Sequence, residues 1–317
     1  MHRIYIQRPY HKPDFDIATD DDRLYKSLVA AYGPFIAQKG SMENTECLGN
    51  SESLENTENL KKTKSLENVE GLKKTEILKN AGNLRNTANA TVKIRFYLIQ
   101  GKYIFECDGT IKEIPYDYAL QAIENIIYET TAIDDEMLAV HAGAVGIDGR
   151  AFILAGFTES GKSTLTAYLY NQGYEYISDD IVLIKKKDLS VVPFRRPLQL
   201  RQGGADVLRR YNVRLDGCDF IDFGNIKRIV MPVKPLLYDE YSIGGILFIR
   251  RTENINSLLP IPKQKAFTNL MKNQFVFMKP EPELLGIIKA LCEKGVYELL
   301  YSDMKYVGDV LKGIAYE

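Results

Sequence analysis

The sequence predicts an α/β fold with a small α+β domain ahead of it. Three observations predict this. An apolar run at 151–155 passes through a glycine-rich turn into a helical pattern at 163–171. A second, mostly apolar run follows at 174–184, and strand and helix patterns alternate again over 282–317. Short apolar runs bounded by Gly and polar residues read as strands buried on both faces, and their alternation with helices is the mark of an α/β layer fold.

The first 135 residues are expected to form the small domain. Residues 91–100 and 103–107 alternate as a hairpin about Gln100-Gly101-Lys102, and Asp108-Gly109 offers another turn. Ile114-Pro115-Tyr116-Asp117 introduces a helix with Leu120, Ile123, Ile126 and Ile127 on one face. Inside this domain, residues 41–88 divide into eight hexapeptides, SMENTE, CLGNSE, SLENTE, NLKKTK, SLENVE, GLKKTE, ILKNAG and NLRNTA. A step of six advances a helix by about 240° net, so the repeated Leu residues would spiral around it without making a stripe. On extended chain an even step keeps them on one face, as in a small solenoid; the low aromatic and β-branched content fits a flexible insertion instead.

The remainder, 136–317, is expected to be the larger domain. His141-Ala142-Gly143-Ala144-Val145 reads as a strand, and Asp148-Gly149 as a tight turn into the next. Near the C-terminus, 282–294 reads as a helix stopped at Gly295, 296–301 as a strand, and Ser302 or Asp303 as the cap of a last helix bearing Met304, Val307, Val310 and Leu311.

Between strand 151–155 and helix 163–171 stands Gly156-Phe157-Thr158-Glu159-Ser160-Gly161-Lys162-Ser163. Two glycines at this spacing let backbone N–H groups line a concave nest, and the helix N-terminus behind adds partial positive charge. Such a nest takes a polyphosphate. Lys162 would reach its terminal phosphates and the Ser163 hydroxyl its Mg2+, with Gly156, Thr158, Glu159, Ser160, Gly161 and Thr164 completing the nucleotide-binding set. The run at 174–184 carries Asp179 and Asp180 side by side. Paired carboxylates in an apolar strand need a cation or a proton, and one can serve magnesium while its neighbour takes the proton of an attacking hydroxyl.

His141, the turn, the glycine loop and the Asp pair follow one another closely. From Val140 to Ile184 the chain resembles the catalytic core of the HPr kinase/phosphorylase family, bacterial protein-serine kinases related in fold to phosphoenolpyruvate carboxykinase. His141 falls on that family's active-site histidine, Gly156 to Ser163 on its phosphate loop, and Asp179 and Asp180 on its paired aspartates. The resemblance implies a phosphate-loop kinase core of the HPr kinase/phosphoenolpyruvate carboxykinase type, using ATP and Mg2+. It also implies His141, Lys162, Asp179 and Asp180 as catalytic residues, Ser163 and the aspartates about the metal, and a serine-bearing peptide or small protein as substrate. A homo-oligomer is open.

The longer glycine-rich, acidic signature tied to phosphate removal has no counterpart, which argues against phosphorylase activity. Instead Pro193-Phe194-Arg195-Arg196-Pro197-Leu198-Gln199-Leu200-Arg201 follows. This is similar to diverged kinases encoded beside ribosomal peptide-tailoring genes, some of which phosphorylate a serine of a lasso-peptide precursor. Arg195 and Arg196 read either as a grip on phosphate or acidic peptide or as a solvated basic turn; Arg250 and Arg251 are a second candidate clamp. A small-molecule or nucleoside kinase fits the same residues, as does a nucleotide-gated binding module without transfer.

Composition sets the remaining bounds. Lys and Arg number 41 against 42 Asp and Glu, so no basic field points to a nucleic-acid partner. Cys47, Cys107, Cys218 and Cys292 are scattered without metal-ligand spacing, as reduced thiols of a cytoplasmic protein would be. No run approaches the length a membrane helix needs.

Overall fold

The computed structural model describes residues 2–6, 15–33, 36, 92–99, 102–107, 110–132, 136–157, 159–194, 196–273 and 282–316. The hexapeptide repeats of 41–88, with Cys47, lie outside the described residues, as do Thr158 and Arg195.

The N-terminal unit is a five-stranded sheet in chain order: β1 (His2–Ile6), β2 (Phe15–Thr19), β3 (Val92–Ile99), β4 (Lys102–Cys107) and β5 (Thr110–Pro115). Only β2 and β3 run parallel. α1 (Asp22–Tyr32) starts directly after β2 because the Asp21 carboxylate accepts from the Leu24 N–H at 2.8 Å, taking up a donor the first helical turn leaves free. α2 (Ala119–Ala132) follows a single 3-10 turn and buries Leu120, Ile123, Ile126 and Ile127, the face its spacing predicts. β5 was not expected. Its pattern is weak and it ends on Pro115, which an edge strand tolerates because no partner there needs the missing N–H.

The second sheet is mixed. β6 (Met137–Ile147) and β7 (Arg150–Ala155) form a hairpin about Asp148 and Gly149, whose φ of 47° and 74° are the left-handed values of a two-residue hairpin turn. α3 (Lys162–Asn171) leaves the glycine loop. The run read as one strand at 174–184 is two: β8 (Glu175–Ser178) and β9 (Ile181–Lys185), both antiparallel to β6 and interrupted at Asp179 and Asp180. At the break Asp179 stays buried and Asp180 is partly exposed, with Arg196 beside both. After β10 (Val191–Val192), β11 (Leu198–Leu200), α4 (Gln202–Arg210), β12 (Asp219–Phe223) and β13 (Ile226–Met231), the long β14 (Ser242–Arg251) returns to the sheet. It lies between β7 and β16 (Val296–Tyr301), parallel to both, and β15 (Ser257–Pro260) closes the far edge.

Side chains alternate across this sheet. Phe152, Leu154, Leu247, Leu299 and Tyr301 pack with α3 and with α7 (Met304–Tyr316). Ala151, Ile153, Ala155, Ile246 and Val296 pack with α5 (Lys263–Asn273) and α6 (Pro282–Leu291) on the other face. That period of two, with both faces covered, is why the strands read as nearly unbroken apolar runs. Asp303 caps α7 through the Lys305 N–H at 3.0 Å.

A third sheet, β11-β13-β12, joins the other two. Leu198, Leu200, Ile229 and Met231 pack with the layer of α3, whereas Ile221, Phe223, Ile226 and Val230 join the core beneath the N-terminal sheet. That core also takes in Met137, Ala139, Ile181 and Leu183, so apolar packing runs across residue 136 without a break. Tyr116 stacks on Phe223 at 5.0 Å between centroids. Next to it, Gly224 has φ +55° and a Cβ there would lie 2.5 Å from Asp117 Cα. Gly224→Ala is therefore expected to cost about 2–4 kcal/mol, combining overpacking with left-handed strain, read as a lower denaturant midpoint. An unchanged midpoint would show that this joint is slack.

Candidate active site

The glycine loop starts where β7 ends. Gly156 is buried against β14: an added Cβ would meet Ser160 Oγ at 2.6 Å and the Ile249 carbonyl at 3.1 Å. Glu159 and Gly161 have φ of 66° and 90°, and the Ser160 N–H donates to the Phe157 carbonyl at 3.1 Å. These left-handed residues curl the chain into a tight turn whose last residue caps α3. Lys162 follows at once. Its side chain is buried, and Nζ donates to the Gly156 and Phe157 carbonyls at 2.9 and 3.1 Å, across the mouth of the loop. Burial pushes its pKa down and the charge of Asp180 opposes that shift.

One residue further, the Ser163 hydroxyl donates to the backbone carbonyl of Asp179 at 3.3 Å. The helix N-terminus and the break between β8 and β9 are thus in direct contact. The break itself is held by the Ala142 N–H, which donates to the Asp180 carbonyl at 3.1 Å.

The two aspartates have different surroundings. Asp179 is 3% exposed; Oδ1 accepts from the Tyr176 hydroxyl at 2.9 Å and Oδ2 from the Gln199 N–H at 3.2 Å. Burial, then the neighbouring Asp180 charge, push its carboxyl up to about 7, against the pull of the Gln199 and Tyr176 donors and of Arg228. Asp180 has a side chain 28% exposed, with Oδ1 3.1 Å from His141 Nδ1 and Oδ2 3.4 Å from Arg196 Nη2. His141 is half-buried on β6, opposite Ile181. One carboxylate is enclosed and the other faces outward, a distinction the adjacent letters Asp-Asp do not contain.

Lys162, Ser163, Asp179, Asp180 and His141 therefore converge. Arg196 converges with them, but not as a solvated turn and not as an open phosphate grip. It is 3% exposed, with Nη2 at 3.5 Å from Asp179 Oδ1 and 3.4 Å from Asp180 Oδ2, and its guanidinium sits 5.2 Å from the centre of the Tyr128 ring. A guanidinium buried against two carboxylates offsets part of their charge and cannot also reach a ligand in solvent. Arg250 is exposed at the end of β14 and does not line the loop cavity; Arg251 does, because adjacent strand residues face opposite ways. That cavity, about 200 Å³, adjoins the loop. It is bounded by Gly161, Thr164, Gly204, Tyr211, Arg251 and Tyr301, among others. Ser160, whose Oγ is buried and unpartnered, and Glu159 belong to the same loop.

Sequence reading missed Tyr176, Gln199, Arg228, Glu124 and Tyr128. Glu124 had a signal: it lies beside Ile123 on the apolar stripe of α2 and is 1% exposed. Its Oε1 accepts from Arg228 Nη1 at 2.7 Å, and the same nitrogen donates to Gln199 Oε1 at 2.6 Å.

The donor set fits magnesium. Among the described residues no group of three or more His, Cys, Asp and Glu side chains forms a metal site by itself. Magnesium ordinarily takes one or two carboxylates together with phosphate oxygens, and the Asp180 carboxylate and Ser163 hydroxyl are hard oxygen donors next to a phosphate-type loop. Asp179, expected to share that role, is enclosed at 3% exposure, whereas the Asp180 side chain is 28% exposed although it too meets His141 and Arg196.

No family model matches the chain, and no curated protein matches it. Among solved structures, the HPr(Ser) kinase/phosphatase from Coxiella burnetii is similar at 12% identity and a TM-score of 0.26, over 55% of this chain and 91% of that one. The fold is mixed α/β with several sheets. Among the described residues, no helix is long and apolar enough to cross a membrane.

Proposed function

We propose that this protein is an ATP- and Mg2+-dependent kinase that transfers the γ-phosphoryl group to a serine hydroxyl of a peptide or small protein. The observation that carries the reading is the outward-facing Asp180 carboxylate, 3.1 Å from His141 Nδ1 and close enough to Lys162 to affect its ionisation. A base, a phosphate-seeking ammonium and a helix N-terminus at one point are what phosphoryl transfer needs.

In this reading the loop N–H groups and Lys162 hold the β- and γ-phosphates, and the base and ribose enter the cavity beside Tyr211 and Arg251. Bound magnesium, held by Ser163 and the phosphate oxygens, would neutralise charge on the transferred phosphoryl group, leaving the Asp180 carboxylate as the base. The acceptor hydroxyl gives its proton to Asp180 as its oxygen bonds to the γ-phosphorus and the bond to the ADP oxygen breaks. His141 orients the Asp180 carboxylate. Asp179, braced by Tyr176 and Gln199, fixes the chain break that presents Asp180.

The test is incubation with γ-labelled ATP, magnesium and peptides encoded beside the gene, a ribosomal precursor peptide first, with the label located by mass spectrometry. Label on a peptide serine is the expected result. Label only in a metabolite would replace this reading with a small-molecule kinase, and nucleotide binding without transfer would replace it with a nucleotide-gated binding module.

A further inference from the structure

Behind the aspartates lies a polar cluster whose Glu124, Arg228 and Tyr128 that mechanism does not use. α2 of the N-terminal unit carries Glu124, whose carboxylate is 1% exposed, and Tyr128, whose hydroxyl is buried. From Glu124 an unbroken path leads to the aspartates: Glu124 Oε1 to Arg228 Nη1 at 2.7 Å, that nitrogen to Gln199 Oε1 at 2.6 Å, and the Gln199 N–H to Asp179 Oδ2 at 3.2 Å. Arg196 reaches Asp179 and Asp180 from the other side, over the Tyr128 ring.

Stability alone does not account for this cluster. Buried ion pairs seldom outdo apolar packing of the same volume. Here Tyr32 Oη, Tyr128 Oη, Glu124 Oε2, Arg196 Nε and Nη1 and Gln199 Nε2 are also buried and meet no hydrogen-bond partner among the described residues. An under-satisfied network held between an N-terminal helix and a carboxylate pair is costly, and such groups concentrate where they serve function.

The charge balance states what the function is. Two guanidiniums, Arg196 and Arg228, face three carboxylates, Glu124, Asp179 and Asp180. Arg196 contacts both aspartates directly, whereas Arg228 is paired with Glu124 and pulls on Asp179 only from a distance. If Glu124 lost its charge, that pull would no longer be offset.

We propose that Glu124 is a positioning residue: it ties Arg228 to Gln199 and offsets that second guanidinium's pull on the aspartates, so the N-terminal unit forms a wall of the reaction site. This inference rests on the kinase reading. It gives the N-terminal unit a part in turnover, acting through Arg228 and Gln199 without touching substrate.

The experiment measures ATP turnover to ADP and Mg·ATP binding by the full chain and its variants, with thermal unfolding alongside. Glu124→Gln is expected to lower kcat about 10–100-fold while KM for ATP stays within about threefold. Glu124→Gln combined with Arg228→Gln removes both charges and keeps an amide donor for Gln199; it is expected to regain at least tenfold of the lost kcat. A merely structural role predicts that the double variant falls as far as the single one, or further, and that result overturns the inference. So does a folded Glu124→Gln variant with wild-type kcat. Should Glu124→Gln alone fail to fold, the double variant decides: kcat within about tenfold of wild type supports the inference, and a lower value overturns it. A wild-type chain that neither binds nor turns over Mg·ATP overturns the kinase reading itself, whereas an active wild type with a fully active Glu124→Gln overturns this inference alone.

Discussion

Asp180→Asn is expected to lower phosphoryl transfer about 10²–10⁴-fold, the usual contribution of a positioned general base. The side chain keeps its shape, so contact with His141 and Arg196 is altered in charge and not in volume. What disappears is the outward carboxylate beside Lys162, open to an incoming hydroxyl. Nucleotide affinity should change less than tenfold in ADP titrations without magnesium, because the phosphates are held by the loop N–H groups and Lys162. Loss of binding together with loss of turnover would instead mean that Asp180 shapes the loop. Turnover within tenfold of wild type would remove it from the reaction.

The second large effect is a stability contribution from Asp179 that declines as pH rises. Its carboxyl sits at about 7 in the folded chain against an ordinary 3.8, because burial and then the Asp180 charge disfavour the ionised form. Below about pH 4 the group is protonated in folded and unfolded chains alike, and it contributes no slope. Between about pH 4 and 7 the unfolded chain gives up the proton while the folded chain keeps it, so each pH unit removes about 1.4 kcal/mol, roughly 4 in all. Above that window both forms are ionised and the loss is complete. Other carboxylates shape the same curve, so the informative quantity is the difference between wild type and Asp179→Asn in denaturant midpoints, measured without divalent ions. That difference should shift against wild type by several kcal/mol from pH 4 to 7.5. Parallel curves would show that Asp179 ionises in the folded chain as it does in water.

Much of the second sheet and its helices was legible. Strand 151–155, the glycine loop, the helix behind it and the strand at 296–301 follow from period and punctuation, signals that survive because both sheet faces are apolar. The single strand read over 174–184 is two, because at Asp179 and Asp180 the chain turns out of the ladder to meet Tyr176, Gln199 and Arg196, partners that the local pattern does not contain. In the N-terminal unit, β3 and β4 were visible in their alternation and β5 was not, since an edge strand needs little pattern to pair. Arg196 was legible as a candidate and misread in surroundings: a basic turn in the sequence is a buried counter-ion in the fold, since Tyr128 and the aspartates close over it.

By itself the sequence determined which chemical groups are present and their local scaffolds. Two glycines and a lysine at fixed spacing, followed by paired acids one helix later, depend only on backbone geometry and short-range period. Tertiary structure alone decided which acid is enclosed and which is open, that a glutamate near residue 124 joins the carboxylate site, and that Arg251, not Arg250, lines the loop cavity. The physical reason is that ionisation and access are set by whatever packs around a group. Those neighbours come from β6, β11, β13 and α2, which are remote along the chain and meet only when the sheets close on one another.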